Sequence, residues 1–105
     1  MESGGKKAKH KSRILFYDWA PGEAAKWTGD VRGLLGYSVN DIKGGWDDLI
    51  HPDDFDRYDK AWDKSLSSGE SYCQEYRIRN SKGKYIKVRD QGYALRRIVG
   101  VIEVL

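Results

Sequence analysis

The grouping in this sequence best suited to chemistry is His51-Pro52-Asp53-Asp54, which sets an imidazole beside two carboxylates. Such a set would serve metal binding or acid–base work. The same four residues also spell a helix start. Proline fits the first helical turn because its missing N–H has no partner there. Carboxylates in that turn meet the positive end of the helix dipole, and His51 can act as the neighbouring polar cap. The other histidine, His10, lies far upstream, and one histidine with clustered aspartates does not match zinc spacing. No metal is expected. Cys73 is the single cysteine, so an internal disulfide is impossible; it falls in a strand pattern and points to a reducing, cytoplasmic setting. Asp90 has no nucleophile or base to work with, and Gly92 behind it reads as a bulge. There is no phosphate-binding glycine loop, no triad and no carboxylate pair with an evident cleft, so no catalytic residue is assigned and an enzyme is not expected.

The elements that hold these residues follow from spacing. Ile14–Trp19 is apolar and aromatic and reads as a first strand. Pro21-Gly22 turns the chain, and Ala24–Thr28 reads as its hairpin partner. Gly29–Gly36 reads as a short helix capped by Asp30 and stopped by Gly36. Ser38 and Asn40 begin another turn or short helix, and Trp46–Ile50 is a third helical piece. The longest helix opens at Pro52 and ends at Ser67-Ser68-Gly69, with Phe55, Tyr58, Trp62 and Leu66 on one stripe. After Gly69 the period becomes two. Tyr72, Gln74, Tyr76 and Ile78 alternate with Cys73, Glu75, Arg77 and Arg79. Asn80–Gly83 has the residues of a tight turn. Tyr85–Leu95 returns as a long strand, and Ile98–Leu105 is apolar enough to sit centrally with both faces buried. The expected class is α+β: a five-stranded antiparallel sheet with short helices and one longer helix packed on one face.

A length of 105 residues fits one domain, expected over 14–105. Hydrophobic residues at 39% supply a packed core and argue against wholesale disorder. No apolar run approaches a membrane span. The net charge of +3 raises the question of nucleic acid, but Lys6, Lys7, Lys9 and Lys11 against Glu2 supply all of it. Residues 1–13 read as a flexible basic leader or an added remnant, and the body is formally neutral, so no nucleic-acid partner is expected. Arg77, Arg79, Arg89, Arg96 and Arg97 with Glu75 look like solvated or paired surface charge.

Several short segments, in this order and spacing, resemble a PAS domain of the type whose last strands carry a PAC motif. They are Trp27-Thr28-Gly29, Leu35-Gly36-Tyr37-Ser38, Ile50-His51-Pro52-Asp53-Asp54, Gly69-Glu70, Glu75-Tyr76-Arg77-Ile78-Arg79, Lys82-Gly83-Lys84-Tyr85, Asp90-Gln91-Gly92 and Val99-Gly100-Val101. The resemblance runs from about Ile14 to Leu105. It implies a sensory module of a signalling protein, such as a sensor histidine kinase, with a cavity between sheet and long helix, an output domain and homodimerisation. Two departures stand out. Leu95-Arg96-Arg97-Ile98 leaves a very short connection between the last strands, either a trimmed hairpin or a chain lacking a mobile loop. Lys87 stands where the family often has Trp.

The residues expected around a small-molecule ligand on this reading are Leu49, Phe55, Tyr58, Trp62, Gln74, Tyr76, Ile78, Val88 and Ile102. The same aromatics can instead fill the interior, which would make a ligand-free interaction module. Gln74 shares the strand face of Tyr72 and Tyr76, so its amide either finds a ligand, a water or a tyrosine, or lies partly in solvent. The cofactor is unknown. Haem is disfavoured because no histidine lies in the helix from Asp53 to Ser68. A flavin photosensor is disfavoured because no cysteine lies between Gly44 and Ser68, and Ile102 stands where such domains carry a glutamine.

Overall fold

The structure, a computed structural model, describes residues 13–42, 45–94 and 97–105. The lysine-rich leader, His10, Leu95 and Arg96 lie outside the described residues. Among the described residues nine elements follow one another: β1 (Ile14–Trp19), β2 (Lys26–Thr28), α1 (Val31–Leu35), α2 (Val39–Ile42), α3 (Trp46–Leu49), α4 (Pro52–Ser68), β3 (Tyr72–Arg79), β4 (Tyr85–Ala94) and β5 (Ile98–Val104). The strands form one antiparallel sheet in the order β2-β1-β5-β4-β3. β5 is central, and Ile14 on the first strand pairs with Glu103 on the last.

One face of the sheet is the core. Leu15, Tyr72, Tyr76, Ile78, Val88, Ile98 and Ile102 are buried there, in a cluster with Val31, Leu35, Ile42, Leu49 and Tyr58 from the helical middle. Removing each large apolar side chain from water contributes about 1.5–3 kcal/mol. Among the described residues nothing covers the other face. β5 alternates between buried and accessible positions, so its apolar run is not buried on both faces. Central placement needs only hydrogen-bonded neighbours on both sides; burial of both faces needs a second layer, and the helices lie on one face only.

α4 begins and ends as its sequence dictates. His51 Nδ1 accepts from the Asp53 backbone N–H at 3.0 Å, Pro52 opens the helix, and Gly69 closes it in the left-handed conformation. The inward stripe departs at its end. Leu66 is exposed, and Ser65 is buried with its hydroxyl donating to the Glu70 carbonyl. With 3.6 residues per turn, the position seven after Tyr58 keeps its face better than the position eight after it. Asp54 does more than complement the dipole. Its carboxylate accepts from the Arg77 backbone N–H at 2.8 Å and from that guanidinium at 2.9 Å twice, which ties the helix start to β3.

Two further expectations are corrected. β2 starts at Lys26, because Ala24 and Ala25 remain in the loop. Gly92 is no bulge: the β4 register runs unbroken through it on both sides. Its partner across β5 is Gly100. A Cβ on Gly100 would come within 2.2 Å of the Tyr17 ring, and one on Gly92 within 2.9 Å of the Tyr17 hydroxyl. The paired glycines are a slot in the sheet on which the Tyr17 ring lies.

Candidate functional site

Ile86, Val88, Asp90 and Gly92 occupy alternate positions of β4, so Asp90 shares the inward face. It is 2% exposed. Tyr17 donates to its Oδ1 at 2.7 Å and Tyr76 to its Oδ2 at 2.8 Å. The Trp46 indole N–H in turn donates to the Tyr76 hydroxyl oxygen at 2.9 Å. One polar chain thus joins α3, β3, β4 and β1 inside the core. Burial pushes the Asp90 carboxyl up to about 7, although its two tyrosine donors favour the charged form. Burial and the nearby Asp90 charge raise the Tyr17 and Tyr76 hydroxyls well above the ordinary phenol range.

A cavity of about 310 Å³ opens above this network. β1 contributes Tyr17 and Trp19, and the following loop and β2 contribute Glu23, Ala24, Ala25 and Trp27. Ile42, Trp46 and Asp47 come from α2 and α3. Tyr58 and Trp62 of α4, with Asp90 and Ile102 of the sheet, complete it. All four tryptophans of the chain line this one space. Asp47 accepts from the Tyr58 hydroxyl at 3.2 Å, and burial raises its carboxyl above the usual range. The volume lies at the small end of the range for ligand pockets.

Of the residues expected from sequence, Tyr58, Trp62 and Ile102 line the cavity. Tyr76 lies behind Asp90. Leu49, Ile78 and Val88 are core residues packed away from the open space, and Phe55 rests against Tyr58 with ring centroids 6.2 Å apart. Gln74 lies elsewhere. Its amide oxygen accepts from Arg57 at 2.7 Å in a second, charged depression shared with Asp54, Cys73, Glu75 and Lys87. An arginine on α4 meets that amide, and the side chain is partly exposed, as one of the two sequence alternatives has it. Sequence reasoning missed Tyr17, Trp19, Trp27, Trp46, Asp47 and Asp90. A signal existed for Asp90: a carboxylate in phase with Ile86 and Val88. Among the described residues no group of three or more His, Cys, Asp or Glu is placed to hold a metal ion.

A sequence model described as the PAS fold matches residues 24–103. An uncharacterized protein of Sinorhizobium fredii, y4lL, is 31% identical over 98 residues, which cover 83% of this chain and 11% of that protein. The chain therefore spans about a tenth of that relative's length. Among solved structures, a sensory box histidine kinase/response regulator from Burkholderia thailandensis aligns with a TM-score of 0.76 at 26% identity, covering 96% of this chain and 83% of the other. The N-terminal domain of a diguanylate cyclase with PAS/PAC sensor from Marinobacter aquaeolei aligns with a TM-score of 0.74 at 20% identity, covering 87% and 94%.

Proposed function

The chain belongs to the PAS fold family, a family of sensory signalling modules, and from that premise we propose that it is the ligand-sensing part of a larger signal-transduction protein. The carrying observation is the aromatic cavity over Asp90. A small molecule entering it would touch β1, the loop before β2, α3 and α4 together. Tyr17 then transmits the contact, because its ring lies on the Gly92–Gly100 slot and its hydroxyl holds Asp90. A ligand that prefers one setting of this network shifts the sheet, and through β5 an attached output domain. On this reading the module is cytoplasmic and does no catalysis of its own. Among the described residues no helix is long and apolar enough to cross a membrane.

A second copy is the proposed partner of the open sheet face. Phe16, Tyr93 and Val99 are 52%, 66% and 42% exposed there, beside a Glu75–Arg89–Glu103 ladder of both signs that can complement itself. The rival reading, a ligand-free interaction module, has its own support. Tyr72 meets both Tyr58 and Trp62 edge-on at 6.3 and 5.4 Å, so part of the interior is already filled by its own rings. Native mass spectrometry of the purified chain, with a thermal-shift screen of metabolites, separates the two. A copurified molecule, or a compound that raises Tm by several degrees and loses its effect in Trp62→Leu, supports sensing. A chain that is empty as purified and indifferent to every compound favours the rival.

A further inference from the structure

The rings around the cavity form a connected belt. Trp19 and Trp62 lie 5.5 Å apart between centroids, Trp62 and Tyr17 6.3 Å, Tyr17 and Trp27 5.7 Å, and Trp27 and Trp46 5.0 Å. The charged side chains on the wall are all acidic: Glu23, Asp47 and Asp90 line the space, and no lysine or arginine does so among the described residues. Aromatic faces carry partial negative charge and attract cations, most strongly when water is excluded. An anion would meet Glu23 and Asp47, and Asp90 as well once it ionises. A neutral apolar guest would leave the buried Asp47 carboxylate without a counter-charge in a desolvated place.

The hydrogen bonding narrows the class. Both oxygens of Asp90 already accept from tyrosines, Asp47 Oδ1 accepts from Tyr58, and Glu23 Oε1 pairs with Arg97 at 3.4 Å. A primary ammonium carries three N–H donors that would have to be met within a wall made mostly of rings. A quaternary ammonium brings charge and apolar methyl groups but no donors. Trp27 lines the space with its ring, while its indole N–H is turned away from solvent and has no hydrogen-bond partner.

Building on the sensing reading above, we propose that the cavity of Trp19, Trp27, Trp46 and Trp62 binds a small quaternary ammonium compound, held by the rings and the field of Asp47 and Asp90. The probes are choline, tetramethylammonium and 3,3-dimethylbutan-1-ol, the uncharged carbon analogue of choline. Titration into the whole chain is followed by tryptophan fluorescence and calorimetry. Choline is expected to bind and to perturb the fluorescence, with the carbon analogue at least tenfold weaker and tetramethylammonium binding more weakly than choline but still measurably. Asp47→Asn and Trp27→Leu, checked for folding by circular dichroism, are each expected to weaken choline at least fivefold. The wild-type comparison of choline with its carbon analogue needs no variant, so a misfolded mutant cannot obscure the answer. Equal binding of the charged and uncharged probes overturns the proposal. So does a screen in which only neutral or anionic metabolites bind the cavity, and that result leaves the sensing reading standing. A cavity that takes no compound of any charge removes both.

Discussion

Asp90 is the side chain on which the interior most depends. Two tyrosine hydroxyls end on it, both from buried side chains. In Asp90→Ala both lose their acceptor at once. Each buried unsatisfied group costs roughly 1–3 kcal/mol, so a loss of about 2–4 kcal/mol is expected in denaturant unfolding. Asp90→Asn keeps the shape, one acceptor and a donor, and is expected to lose less than half of that. The pH dependence has a definite sign. The carboxyl titrates near 7 when folded and at its ordinary value near 3.8 when unfolded. Between those values the folded state holds a proton that the unfolded state releases, so this group's contribution to stability falls as pH rises from about 4 to 7. Asp47, raised in the same direction, adds to the trend. Asp90→Asn should flatten the slope relative to wild type, and parallel slopes would contradict the assignment. Alternation in β4 places Asp90 inward from sequence alone. Its partners are not legible that way, because Tyr17 lies 73 residues away and Tyr76 reaches it across a sheet.

Elements meet most specifically where α4 leaves β3. Asp54 takes the Arg77 backbone N–H and both sides of its guanidinium, and the His51 backbone N–H donates to the Arg77 carbonyl at 2.8 Å. The Arg77 guanidinium beside Asp54 holds its carboxyl down at about 2. This contribution is complete above the unfolded value near 3.8 and is lost as pH falls toward 2, the opposite sense to Asp90. Asp54→Asn is therefore expected to lower Tm at pH 7 by roughly 5–10 °C and to remove part of the acid-side loss. Scanning calorimetry from pH 2 to 7 checks both. The elements themselves were the most readable level. Pro52 and Gly69 bracket the long helix in sequence as in space, and the period of two finds β3 directly. The bulge expected at Gly92 does not form, because the reason for that glycine lies in another strand: the Tyr17 ring needs the space. Leu66 was misjudged because a stripe extended by fours drifts off the buried face.

For the molecule as a whole, the sheet order follows from a hairpin, a helical middle and three last strands. The position of the cavity does not. Sequence patterning sets it between the Pro52–Ser68 helix and the last three strands, with Gln74, Leu49, Ile78 and Val88 on its wall; Leu49, Ile78 and Val88 close-pack instead. The open space lies over β1 and β5, where side chains from the β1–β2 hairpin and α3 converge on no common spacing. The uncovered face carries its own expectation. If two copies pair through it, Phe16→Glu should weaken self-association at least tenfold, read by sedimentation across a concentration series, with the fold intact by circular dichroism. A wild-type chain that stays monomeric at high concentration would remove the sheet face as the pairing surface.

The neighbouring positions of Ile14 and Glu103 have a mechanical meaning. Arg13 reinforces them, its carbonyl accepting from the Val104 N–H at 2.8 Å and its guanidinium donating to the Val104 carbonyl at 3.0 Å. The way in and the way out share one doorway. Any polypeptide joined before β1 and any joined after β5 would leave side by side, so a small rotation of these two strands would be felt by both as a common lever.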